Sequence, residues 1–162
     1  RLAEDVGALQ DARQYTDMTQ ALIIAGFGQE AERVMQKGID ANLFAGDEAM
    51  RAKRTIDAAK RKADAERAAL PKAANALAAA KTGDEMEKVG ELYFSAGDYV
   101  NASAALQKAI AKGGLSDADS AQMLLGIALK RKGDKANATK AFDLVKEPQF
   151  AEIAKLWKIA AR

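Results

Sequence analysis

Few side chains in this sequence could carry chemistry by themselves. It has no cysteine and no histidine. Thiolate nucleophiles, disulfides and thiolate zinc sites are therefore excluded, and so are the commonest general base and the commonest metal ligand. Carboxylates remain. Glu85, Glu87 and Glu91 lie close together, and Glu87 and Glu91 are spaced i,i+4, which stacks them on one helical face. Such a pair could shuttle a proton or attack as a nucleophile, but isolated pairs of this kind are common on helices. No other acidic group has a spacing that suits a metal ion or acid–base work. Gly26-Phe27-Gly28 fails as a phosphate loop, because it joins two helical patterns and not a strand to a helix. Asn101-Ala102-Ser103 and Asn137-Ala138-Thr139 match the glycosylation pattern but fall inside helical segments. The basic run Lys53, Arg54, Lys60, Arg61, Lys62 and Arg67 is interleaved with Asp57, Asp64 and Glu66, which reads as a solvated helix face. The residues thus point away from catalysis and toward binding.

The elements that must position any binding residue are helical. Alanine is abundant and only Pro71 and Pro148 interrupt the chain; alanine is the best helix former and proline the worst. The 25 basic and 23 acidic residues leave a net charge of +2, so no nucleic-acid partner is called for. No apolar run is long enough for a membrane span, and direct membrane insertion is not expected. The chain begins at Arg1 without methionine and is read as part of a longer polypeptide or a processed one.

Two segments align without a gap. Gly90, Gly97, Asp98 and Ala102 recur 36 positions on as Gly126, Gly133, Asp134 and Ala138. Gly97 and Gly133 each end a helical stripe and precede Asp, giving a C′ glycine followed by an N-cap. Each segment is then a helical hairpin. Gly90 and Gly126 sit mid-helix, where glycine costs about 1 kcal/mol against alanine and is tolerated when a neighbouring helix approaches closely. Ala102 and Ala138 supply the matching small residue, while Tyr93, Leu106, Leu129 and Phe142 fill the remaining space.

These positions resemble the tetratricopeptide (TPR) repeat, a helical hairpin with small and large residues in this order. Gly90, Tyr93, Gly97, Tyr99, Ala102 and Ala109 fall on its signature, as do Gly126, Leu129, Gly133, Ala138 and Phe142 in the next repeat. Met86 and Gln122 replace the family's Trp, and Gly114 and Phe150 its terminal Pro. A weaker echo runs from Tyr15 to Phe44, where Gly26 and Ala31 share the spacing of Gly97 and Ala102. The run Ala111–Asp117, Leu125–Leu129 and Ala154–Trp157 is similar to the C-terminal part of secreted or periplasmic proteobacterial TPR proteins of unassigned function. That resemblance implies a periplasmic or secreted location, with the cytoplasm as the alternative.

The expected architecture is an all-α, TPR-like helical solenoid of about nine helices forming one domain. Residues 1–45 form a degenerate helix pair. Residues 46–82 form a long charged helix, about Asp47 to Ala69, with the stripe Ala52, Ile56, Ala59, Ala63 and Leu70, and then a short helix after Pro71. Residues 83–147 form two repeats. Residues 148–162 form a capping helix with Phe150, Ile153, Trp157 and Ala160 on one face.

The resemblance implies a concave groove lined by the first helix of each repeat. Its positions are Glu87, Glu91 and Phe94, then Met123, Ile127 and Lys130, and in the degenerate repeat Thr16, Gln20 and Ile24. Phe94 follows Tyr93, so a rotation of about 100° carries it off the hairpin seam. The alternative is that these side chains pack under a neighbouring helix, such as the one over 47–69. Glu87, Lys88 and Glu91 stand where family members that grip carboxylates use Lys and Asn, so that activity is not expected. The reading is a protein-interaction scaffold that takes a peptide or helix, without enzymatic activity or cofactor. Its alternatives are a structural spacer or oligomerisation module, and a hydrolase that uses carboxylates alone.

Overall fold

The computed structural model describes residues 1–161, and among these every regular element is a helix. The elements are α1 (Leu2–Asp5), α2 (Ala12–Ile24), α3 (Gly28–Asp40), α4 (Asp47–Ala69), a 3-10 turn (Leu70–Lys72), α5 (Ala73–Ala79), α6 (Gly83–Ala96), α7 (Tyr99–Lys112), α8 (Ala118–Arg131), α9 (Lys135–Asp143) and α10 (Pro148–Ala160). The four-residue α1 is the one helix that periodicity gave no sign of. Contacts divide the chain into two compact units, Arg1–Pro71 and Lys72–Arg162. The 46–82 segment is therefore shared: α4 belongs to the first unit and α5 to the second.

One local device builds three hairpins. Gly97 and Gly133 take positive φ, 82° and 94°, and so does Gly26 at 85°. In each case the glycine N–H donates to the carbonyl three residues back, and the next N–H donates to the carbonyl five back. The donor–acceptor pairs are Gly97–Phe94 and Asp98–Tyr93, Gly133–Lys130 and Asp134–Leu129, and Gly26–Ile23 and Phe27–Leu22. This closes the orphan carbonyls of the outgoing helix. Asp98 and Asp134 then cap the incoming helices, accepting from the Asn101 and Asn137 backbone N–H at 3.0 and 3.3 Å. Asn101 and Asn137 donate their side-chain amides to the same carboxylates.

Across each seam a small residue faces a large one sixteen positions on. A Cβ on Gly90 would lie 2.7 Å from Leu106 Cγ, and one on Gly126 would overlap the Phe142 ring. In the first hairpin the pair is Thr19 and Met35, whose Oγ1 and Sδ are 3.6 Å apart. Ala31, Ala102 and Ala138 are fully buried beside these pairs. Gly126→Ala is therefore expected to lower stability by about 1–3 kcal/mol in urea titration, because overlap with a fixed ring outweighs the gain in helix propensity.

The first hairpin lacks a capping Asp, since Phe27 stands there. Glu66 of α4 replaces it, accepting from the backbone N–H of Gly28 at 2.5 Å and of Gln29 at 2.9 Å. Helices α3 and α4 approach so closely at this point that a Cβ on Gly28 would lie 2.6 Å from the backbone of Lys62 and Ala63. The alanine stripe permits the approach: Ala52, Ile56, Ala59 and Ala63 are the buried residues of α4, as their spacing implies. Leu70, the last residue of the expected stripe, is only half-buried. Gly28→Ala is expected to cost about 1–3 kcal/mol, since the obstacle is backbone that cannot rotate away; amide exchange at Gly28 and Gln29 should speed up with it.

In the second unit α8 lies among α6, α7, α9 and α10. Every residue from Ala121 to Leu129 is buried, and a helix apolar all round belongs inside. Carboxylates in the first turns of α6 and α8 hold later loops. Asp84 accepts from the Ser116 N–H and hydroxyl at 2.7 and 2.6 Å. Asp119 accepts from the N–H groups of Lys146 and Glu147, which sets the entry into α10 with Pro148 in its first turn.

Candidate functional site

Docking of α4 on α3 brings its flank beside α2. The alanine stripe faces α3, so the residues that precede it by one position, Arg51, Thr55 and Ala58, fall along the boundary with α2, and Arg54 joins them at i+3 from Arg51 and i+4 to Ala58. A cleft of ≈ 580 Å³ lies there, lined by Thr16 and Gln20 of α2, by Phe44, and by Arg51, Arg54 and Thr55 of α4. A second hollow of ≈ 330 Å³ shares Gln20, Arg54 and Thr55 and continues to Ile23, Ile24 and Ala58. The two form one groove. Residue numbers rise together on both walls, so α2 and α4 run parallel.

The groove has a polar end and an apolar end. At the polar end Arg13 and Asp17 are paired at 3.5 Å, both exposed, and Glu48 stands on the α4 side. Arg51 and Arg54 are exposed, and neither forms an ion pair among the described residues. Thr16 donates its hydroxyl to the Ala12 carbonyl at 2.9 Å. At the apolar end Ile24 is 86% exposed, the most exposed large hydrophobic side chain among the described residues.

Of the residues expected to line a groove, Thr16, Gln20 and Ile24 do line one. The set on α6 and α8 stands differently. Phe94 is fully buried and Tyr93 is the half-exposed neighbour, the reverse of the order expected from the seam. The reason is the next repeat. Arg131 of α8 lies over the Phe94 ring at 5.4 Å and donates to the Tyr99 hydroxyl, while the Tyr99 ring meets Phe94 edge-on at 5.3 Å. Met123 and Ile127 are likewise core, on the wholly buried α8. The exposed Phe–Met–Ile surface does not exist, and these three are corrected to packing residues. Lys130 reaches toward the capping helix, its ammonium 5.6 Å from the Trp157 ring centre.

Glu87 and Glu91 stay half-exposed on α6. Burial, reinforced by Glu91, Asp84 and Asp117, pushes the Glu87 carboxyl up to about 7. The folded protein therefore holds this proton more tightly than the unfolded chain does. Its stability falls as pH rises from 4.5 to about 7, and the deficit is complete above that window. Glu87→Gln is expected to raise stability by about 1 kcal/mol at pH 8, after allowance for solvent screening, and to leave it unchanged at pH 4. Thermal melts at the two pH values check this. Asp84 is held below the usual carboxylate range by its Ser116 hydrogen bonds and is not available as a partner base. Among the described residues no three carboxylates gather in a way that could hold a metal ion. No described helix is long and apolar enough to cross a membrane.

The sequence reads Arg54 as one charge of a solvated helix face and does not single out Arg51. The signal that could have placed them was the alanine stripe itself, which fixes the neighbouring flank once α4 is recognised as the parallel partner of α2. No family model, curated protein or solved structure matches the chain.

Proposed function

We propose that this chain is a non-enzymatic interaction scaffold of the TPR type, and that its binding surface is the α2–α4 groove. The observation that carries the reading is an open groove between two parallel helices, with a polar end, an apolar end and an unpaired pair of arginines. Peptide grooves combine these: apolar anchors supply affinity and charged neighbours set orientation. The shared hairpin register, with its small–large pairs at Gly90, Gly126 and Thr19, supports the TPR assignment. In a TPR array the groove is lined by first helices, and α4 follows the first hairpin as α8 follows the second. A periplasmic or secreted location is part of the same proposal and rests on the sequence resemblance alone.

A photo-cross-linking side chain at Gln20, with one at the exposed Lys108 as control, tests the site in a cell-envelope extract. Discrete adducts at position 20 that disappear with Thr16→Trp are expected. Identical bands from both positions would remove the groove from consideration.

The oligomerisation alternative has one observation in its favour. Leu156 and Ile159 of α10 are 51% and 61% exposed. A sedimentation coefficient that falls with Leu156→Asp and Ile159→Asp would favour that reading; a monomer before and after would dismiss it.

A further inference from the structure

We infer, taking the α2–α4 groove as the binding site, that its occupant is an acidic peptide segment carrying an apolar side chain close to its carboxylate. The contrast along α4 is the starting point. Arg67, away from the groove, is held by Glu32 at 2.8 Å and Asp64 at 2.7 Å. Arg51 and Arg54 line the groove and have no carboxylate partner among the described residues. A guanidinium presents a planar fork of donors that matches a carboxylate, and two of them one turn apart on one wall form a receptor for anionic side chains.

The other lining residues narrow the class of anion. Asp17 and Glu48 border the same cleft. A uniform polyanion such as a nucleic acid strand would meet these charges as it ran along the groove. A peptide places its carboxylates singly and can turn backbone N–H groups toward Asp17 and Glu48. Gln20 borders both hollows, so its amide stands where a peptide bond would cross from one to the other. Arg54 also borders both, beside the exposed Ile24. A carboxylate on Arg54 therefore sets the next apolar side chain against Ile23, Ile24 and Ala58. From Thr16 to Ile24 the α2 wall is about 12 Å long, room for about four extended residues.

The probe is a phage library of random 12-residue peptides, panned on the whole chain with counter-selection on bare support; the enriched peptides are then compared on the whole chain and on its Arg51→Glu, Arg54→Glu double variant. Both side chains are exposed, so the variant is expected to keep the wild-type circular-dichroism melt; Arg51→Gln, Arg54→Gln serves if it does not. Enriched peptides should carry Asp or Glu within three residues of Leu, Ile, Phe or Met. A fluorescein-labelled winner should bind at least about tenfold more weakly to the double variant, and again when its acids become amides. Its affinity should also fall as salt is raised from about 50 to about 300 mM. Enriched peptides that lack acids, bind the double variant equally well and are lost with Thr16→Trp would overturn the acidic specificity while leaving the scaffold reading intact. A labelled 12-nucleotide single strand that outcompetes every peptide would overturn it in favour of nucleic acid. No enrichment over bare support would overturn both readings.

Discussion

Trp157→Ala is expected to lower the stability of the Lys72–Arg162 unit by about 3–5 kcal/mol, the cost of deleting a large buried aromatic side chain. Trp157 is 2% exposed and stacks on Phe142, ring centres 6.0 Å apart and planes 14° from parallel. Phe142 in turn fills the space that the missing side chain of Gly126 leaves open. The truncation therefore opens a cavity over the last small–large pair as well as removing apolar area. Ala154 and Ala161 are buried beside Trp157 and are too small to close it. Lys130 would also lose the ring face beneath its ammonium, a smaller effect at a half-exposed site. Urea unfolding followed by far-ultraviolet circular dichroism gives the difference. Since this is the one Trp of the chain, its fluorescence in the unmutated protein reports on the same unit. Emission should be blue-shifted when folded and move to that of water-exposed indole within the unfolding transition. Water-like emission from the folded protein would show that α10 does not cap the repeat.

Most of this fold was legible because it is local. A glycine that must take positive φ, an Asp that caps, and a small residue against a large one are choices made within a single hairpin. Gly97, Gly133, Ala102, Ala138 and Trp157 could be placed from neighbours close in the chain. The alanine stripe of α4 was legible for the same reason. What could not be read was decided between hairpins. Tyr93 and Phe94 are adjacent on α6, and either could face the seam. The choice was made by Arg131, which comes from the next repeat and covers Phe94. Thr19 and Met35 form the same pair as Gly90 and Leu106 but share no residue type with it, so only the offset betrays them. Glu66 caps α3 from a distant helix, and nothing near Gly28 announces that a cap will arrive. The groove was half legible for this reason. Thr16, Gln20 and Ile24 followed from the hairpin register, whereas Arg51 and Arg54 required knowing which helix runs beside α2.

The double substitution Phe94→Ser, Ile127→Ser is expected to unfold the second unit outright at ordinary temperature. Truncating a fully buried Phe costs about 3–5 kcal/mol by cavity formation alone. Serine adds a hydroxyl whose burial without a partner costs roughly 1–3 kcal/mol more. Ile127 is 5% exposed within the run of α8 that is buried on every side, so its replacement incurs both costs again. The sum approaches or exceeds the roughly 5–15 kcal/mol that holds a whole domain together. Phe94 also seats Tyr99 and the Arg131 guanidinium. Without the ring, Arg131 loses the surface that fixes its hydrogen bond to Tyr99, and the contact between α7 and α8 weakens as well. Trp157 emission near that of free indole in native buffer, with helical signal reduced but not abolished, is the expected result. It discriminates sharply, because a surface groove made of these residues would give the opposite: unchanged melting and weakened capture of a partner. Binding through the α2–α4 groove uses neither side chain. Single variants mild enough to stay folded, such as Ile127→Val, should therefore leave peptide affinity at the wild-type value while lowering the melting temperature. A loss of affinity with Ile127→Val at a temperature where the variant is fully folded would return the binding surface to α6 and α8.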